Sequence, residues 1–164
     1  MSLRKMLEEL KSIYWSNDTV MFKPIKTEAE LIYAAYECQL FEYQKDLVNP
    51  AWFSIGRAYL FPQNNYPCLI CKISGEPIGF INLSKWLKDG DNYSWSFFID
   101  KDYQGKGYGK KAAQLAINIF KTVDPSITIK LATEKDNLKA QSLYKSLGFK
   151  KLIELDGDDL VFGL

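Results

Sequence analysis

The sequence predicts an α+β sandwich built around a mixed sheet. Two observations carry the prediction. Beyond the first forty residues, strand-like segments come first and then alternate with helices, an order that suits helices packed on a sheet with both parallel and antiparallel neighbours. In addition, the β-prone run Tyr93-Ser94-Trp95-Ser96-Phe97-Phe98-Ile99 passes through a glycine-rich loop straight into an apolar helical stripe. With 164 residues, 47% of them hydrophobic, the chain is long enough for a core and reads as one domain, 1–164.

The elements follow in order. Leu3, Met6, Leu7, Leu10 and Tyr14 share one face of a leading helix over 1–18, which packs on the domain or on a partner subunit. The rest, 20–164, is the main body. Val20–Ile25 is a short strand whose Pro24 suits a sheet edge. Thr27 followed by Glu30 forms a capping box that opens a helix through Leu40 or beyond. Pro50, Pro62 and Pro67 punctuate a less regular stretch holding a short helix near Ser54–Leu60. Cys68–Ile73, the Ser74-Gly75-Glu76-Pro77 turn and Ile78–Leu83 make a hairpin, and Lys88-Asp89-Gly90-Asp91 is a further turn before the aromatic strand. Tyr108, Ala112, Leu115, Ala116, Ile119 and Phe120 line one face of a helix. Then come a strand at 127–132, a helix at 137–147 capped by Asp136 or Asn137 and ended at Gly148, a strand at 149–155, the Asp156-Gly157-Asp158 turn and a last strand.

Composition excludes several classes. Net charge is +1, from 21 basic and 20 acidic residues, with no basic block interleaved with aromatics, so nucleic acid is not an expected partner. No apolar run is long enough to span a bilayer and no signal-peptide pattern opens the chain, so neither membrane nor export is expected. Cys68 and Cys71 have C-x-x-C spacing, but three residues apart on a strand places them on opposite faces, where they cannot share a metal or a disulfide. Free thiols and no signal suggest the cytoplasm. There is no histidine, which removes the commonest general base and metal ligand, and no metal is expected.

The chemistry concentrates in Gln104-Gly105-Lys106-Gly107-Tyr108-Gly109. Glycines on alternate positions let backbone N–H groups converge, and a helix N-terminus adds unpaired donors and partial positive charge, so the corner suits phosphate. A P-loop would need Ser or Thr after Gly109-Lys110, where Lys111 stands. A dinucleotide fingerprint would need glycine at Lys110. What remains, Gln-x-x-Gly-x-Gly, resembles the pyrophosphate loop of the GNAT family of N-acetyltransferases. The later segment Asn137 to Phe149, with its Leu143-Tyr144 pair and Gly148-Phe149, resembles that family's second cofactor motif. The resemblance covers residues 20–164.

It implies a mostly antiparallel GNAT-type mixed sheet splayed at its middle, with helices on both faces. It also implies acetyl-CoA as co-substrate and direct attack by a primary amine in a ternary complex. The cofactor-binding residues it implies are Phe98 and Ile99, through backbone N–H groups, then Gln104, Gly105, Lys106, Gly107, Tyr108, Gly109, Lys110, Asn137, Ala140 and Tyr144. Tyr144 is the implied catalytic acid toward the departing sulfur. Many relatives place a glutamate base on the aromatic strand, but here only Ser94 and Ser96 are polar before Asp100, so the base is open: a water chain to a backbone carbonyl, or a carboxylate from elsewhere such as Glu37 or Glu42. Segments 54–60, 75–80, 97–107 and 155–158 are similar to bacterial spermine/spermidine acetyltransferases, which implies a polyamine held by aromatic and acidic groups such as Glu42, Tyr43 and Trp95. A peptide, protein or other small amine, or a non-catalytic acyl-CoA-binding module, are the alternatives. Dimers are common among such proteins, which leaves a homodimer open.

Overall fold

The computed structural model describes residues 1–86 and 91–164; residues 88–90 of the turn expected at 88–91 lie outside them. Among the described residues, seven strands form one sheet in the order β1-β2-β3-β4-β5-β7-β6. They are β1 (Val20–Pro24), β2 (Asn65–Lys72), β3 (Pro77–Trp86), β4 (Asn92–Ile99), β5 (Thr128–Thr133), β6 (Lys150–Asp156) and β7 (Asp159–Gly163). All neighbours are antiparallel except β4 and β5. That parallel pair meets only at Asn92↔Thr128 and Tyr93↔Ile129, after which the two strands part. The sheet is therefore splayed at its middle, and the β4 edge from Trp95 to Ile99 has no strand partner on that side.

Among the described residues, five α-helices cover it: α1 (Leu3–Glu8), α2 (Glu28–Ile32), α3 (Ala51–Leu60), α4 (Tyr108–Val123) and α5 (Leu138–Ser146). The apolar stripe of α4 buries Ala112, Leu115, Ala116, Ile119 and Phe120 against Phe22, Ile70, Leu83, Tyr93 and Trp95. Phe120 lies 5.1 Å from the Tyr93 ring and 6.4 Å from Trp95. The opposite face packs Leu69, Cys71, Phe80 and Phe98 against Ala34 and Ala51. Cys68 belongs to the first cluster and Cys71 to the second, so alternation does separate the two thiols. Gly79 on β3 admits the close approach of β4, because a Cβ there would stand 2.6 Å from the Phe98 carbonyl oxygen.

The leading helix is shorter than its periodicity suggests. It stops at Glu8, a 3-10 turn follows at Ser12–Trp15, and Tyr14 is exposed. Leu3 and Leu7 are fully buried in the domain's own core, so this face packs on the same chain.

The capping box at Thr27 and Glu30 forms, but the helix ends before Leu40. It widens to a π turn at Tyr33–Glu37, where the Cys38 N–H donates to the Tyr33 carbonyl at 2.8 Å. The chain is then captured by Asp100, whose Oδ2 accepts the Gln39 N–H at 2.9 Å, while the Lys101 N–H donates to the Gln39 carbonyl at 2.7 Å. This tether to the end of β4 fixes the entry of residues 40–49, which cross over the splay.

Glu30 locks the start of α2. Its carboxyl is held down to about 2, first by Lys23 and then by the Lys26 N–H, with the ammonium at 2.8 Å and that N–H at 2.7 Å. A depressed carboxyl stabilises the fold above its ordinary value of 4.5, and the contribution fades as pH falls toward about 2. Thermal melts should show that decline over this window. Glu30→Gln should flatten it and lower Tm at neutral pH by a few degrees. An unchanged acid limb in the variant would place the acid sensitivity elsewhere.

Candidate active site

A cavity of about 620 Å³ fills the splay and continues under α3. One wall is the loop 104–109, through Gln104, Gly105, Gly107 and Gly109. Gly107 is the N-cap of the 16-residue α4 at φ +86°, and Gly105 has φ +75°. Both are left-handed conformations that favour glycine. A Cβ at either position would meet no protein atom within 4 Å, which leaves an open cradle in front of the first-turn N–H groups of α4. These residues fit a pyrophosphate.

The open edge of β4 supplies further donors. The Asp100 N–H donates to Ile78 O at 2.8 Å, and Phe80 is opposite Phe98 in the register. Antiparallel alternation then turns the backbone of Phe98 toward β3 and those of Phe97 and Ile99 toward the gap. The Ile99 carbonyl is taken by Gln104 Nε2 at 2.9 Å, so its N–H is the better placed of the two predicted edge donors.

Gln104 works as a tie. It exchanges two hydrogen bonds of 2.8 Å with Gln44 and accepts from Lys139 Nζ at 3.2 Å. The glycine loop, the segment above the cavity and the start of α5 are joined through this one amide. Lys106 bends back, donating to the Asp102 carbonyl at 3.1 Å, and Tyr108 packs edge-on against Tyr103. Neither side chain lines the cavity; Gly109 and Lys110 do.

Across the gap, α5 places Asn137, Ala140 and Tyr144 on the cavity wall. Asn137 caps the helix by accepting the Ala140 N–H at 3.1 Å. Tyr144 is 9% exposed, with its ring 5.8 Å from both Phe149 and Phe162. Burial pushes its phenol up to about 12, so it stays a proton donor across the physiological range.

The predicted acceptor residues divide differently. Trp95 lines the cavity but is 6% exposed, its ring committed to Phe120 and Phe149. Glu42 is paired with Lys45 at 2.6 Å on the surface, and Tyr43 stacks on Phe41 in solvent. Neither reaches the cavity, nor does Glu37. The carboxylates that do are Asp46, Glu134, Asp156 and Asp159, with Arg57, Lys85, Lys110 and Lys139 on the same wall and a floor of Ser54, Asn82, Ser84, Ser94 and Ser96. Asp156 lies in the turn singled out from the sequence. Asn82 left one trace, an amide at a buried position inside an apolar strand. The serines of β4 face Asn82 and Ser84 in register, a polar continuation of the Phe80–Phe98 row.

Among the described residues, no helix is long and apolar enough to cross a membrane, and no group of three or more metal-ligating side chains gathers.

Solved structures with the same fold include the GNAT domain of S. lividans PAT, with TM-score 0.71, 12% identity, and 95% of this chain and 99% of that one covered. A putative ribosomal-protein-serine acetyltransferase from Vibrio cholerae aligns with TM-score 0.67 and 16% identity over 92% and 95% of the two chains. In sequence, the chain is 39% identical over 69 residues to a probable spermine N(1)-acetyltransferase of Bacillus subtilis subsp. natto, covering 42% of this chain and 45% of that protein. It is 31% identical over 80 residues to the spermidine N(1)-acetyltransferase of Escherichia coli K12, covering 49% and 43%. A peptidyl-lysine N-acetyltransferase, YjaB of Salmonella typhimurium, is 33% identical over 85 residues, covering 52% and 50%. These alignments span about half the length of each relative or less. The family profile described as "Acetyltransferase (GNAT) family" matches residues 29–149, most of the chain and both cofactor motifs, and the chain belongs to that family.

Proposed function

We propose that this protein transfers an acetyl group from acetyl-CoA to a primary amine, most specifically the terminal nitrogen of a polyamine such as spermidine or spermine. One observation carries the reading: one cavity joins the glycine cradle, the unpaired β4 edge and Tyr144 to a polar floor and a wall that carries carboxylates. Acetyl-CoA, when bound, supplies the activated acetyl carbon; the chain's own groups do the rest. The α4 N-terminus and the loop N–H groups hold its phosphates, and the Ile99 N–H is the donor for the acetyl oxygen.

The amine must shed a proton. At pH 7 an alkylamine of pKa near 10.4 is short of its neutral form by about 4–5 kcal/mol. No histidine is present and no carboxylate occupies β4, so the proton leaves through Ser94, Ser96 and water. Tyr144 donates to the sulfur. Full transfer from a phenol at about 12 to a thiolate near 8.5 is uphill by about 5 kcal/mol. The hydroxyl therefore acts as the C–S bond weakens, and the proton lost by the amine restores the balance.

The carboxylates of Asp46, Asp156 and Asp159 offer partners to a second, distant positive charge, which a polyamine has and a monoamine lacks. Two exposed ion pairs at up to about 1 kcal/mol each amount to roughly tenfold or more in kcat/KM. Spermidine should therefore exceed a neutral-tailed amine of equal length by that factor, and added salt should shrink the gap. A thiol-release assay with spermine, spermidine, the neutral-tailed amine and a lysyl peptide tests this. Equal rates for the neutral-tailed amine, or turnover of the peptide alone, would remove the polyamine assignment and leave amine acetylation standing.

A further inference from the structure

We infer that Asn82 is the acceptor-positioning residue, its side-chain carbonyl taking an N–H from the amine that is acetylated. The inference rests on the acetyltransferase reading but not on the polyamine assignment. Asn82 sits on β3 opposite Ser96, 5% exposed, on the cavity floor beneath α3. The orientation of its amide is fixed by a chain of donors. Asn65 Nδ2 donates to the Phe61 carbonyl at 3.1 Å, and a carbonyl can only accept, so Asn65 must present Oδ1 to Asn82. Asn82 Nδ2 donates to that oxygen at 2.9 Å. Asn82 Oδ1 is therefore the atom left over, and among the described residues it is buried with no hydrogen-bond partner.

A buried acceptor without a partner is costly, and apolar isosteres would remove the cost. What the position gains is an acceptor matched to an amine. A primary amine has two N–H donors and one lone pair. Giving one N–H to Asn82 leaves the lone pair free to face the thioester across the β4 edge. A neutral amide suits the task better than a carboxylate would, because it does not stabilise the unreactive ammonium form by a full charge. The neighbouring hydroxyls of Ser84, Ser94 and Ser96 offer the second N–H a partner. The lock from Asn65 and Phe61 engages the NH2 group and leaves the oxygen as the atom available to a ligand. Substrate orientation held by preformed structure is the part of catalysis that such a group supplies.

The test uses whichever amine of the panel the parent enzyme acetylates. Asn82→Leu should lower kcat/KM for that amine by about 10- to 100-fold, mainly through KM, while acetyl-CoA affinity measured by calorimetry stays within about twofold. Asn65→Leu, which frees the Asn82 amide to flip, should move KM in the same direction by a smaller factor. An unchanged amine KM in Asn82→Leu, or a parallel loss of acetyl-CoA affinity, would overturn the inference. Should Asn82→Leu fail to fold, the parent protein labelled with 15N-asparagine answers the same question. The buried Asn82 NH2 resonances should shift when the amine is added to the CoA complex and not when CoA alone is added, and no shift with amine would overturn it. A parent that acetylates only the lysyl peptide ends the polyamine assignment, and the Asn82 measurement then proceeds on the peptide.

Discussion

Tyr144→Phe should lower kcat by roughly 100-fold or more while acetyl-CoA affinity changes less than about twofold. The ring stays, and with it the packing against Phe149 and Phe162. Only the phenol is lost. Among the described residues that hydroxyl makes no hydrogen bond, so its removal strands no protein partner, and thermal stability should move little. Because burial raises the phenol to about 12, Tyr144 should introduce no break in the pH–rate profile below about pH 10. The decisive measurement pairs single-turnover rates with calorimetry of the same variant. Near-normal turnover would reduce Tyr144 to a core tyrosine that happens to line the cavity.

Gly107→Val is expected to weaken acetyl-CoA binding by at least about 100-fold in a protein that still folds. Two effects combine there. A β-branched residue at φ +86° is strained, at roughly 1–2 kcal/mol or more. Its side chain also occupies the cradle, which is empty of protein atoms to 4 Å. Gly109→Ala separates the two effects. Its φ is ordinary, and the added Cβ would lie 3.8 Å from Ile99 and Phe97, so the protein should tolerate it. Any loss of affinity in that variant then reports the ligand's approach alone. Unchanged affinity in folded Gly107→Val would move the phosphate site away from this corner.

The elements that the sequence displayed are those whose signals are local. Aromatic and β-prone residues marked β4, an apolar run ending at a turn marked most of β2, a 3.6-residue stripe marked α4, and Thr27 with Glu30 marked the start of α2. The glycine corner before α4 was legible for the same reason, since positive φ and a following helix leave their trace in glycine spacing. Asn137, Ala140 and Tyr144 fell within one helical stretch, so their common placement followed from periodicity.

The acceptor side had no such trace. Glu42 and Tyr43 are adjacent in sequence to Gln44, which does reach the cavity, but the 3-10 turn at Glu42–Gln44 directs them to solvent. That direction depends on the π turn and on Asp100, more than sixty positions downstream of the segment it anchors. Local patterning marked most of the sheet's elements and the glycine corner, and the resemblance of the 137–149 segment pointed to Tyr144, which the structure places on the cavity wall. The two-rung pairing of β4 with β5, which opens the cavity, and the long-range amide chain from Phe61 through Asn65 to Asn82 were decided only by tertiary structure. Both are contacts between segments far apart in the chain, where no periodicity records which side chain will meet which.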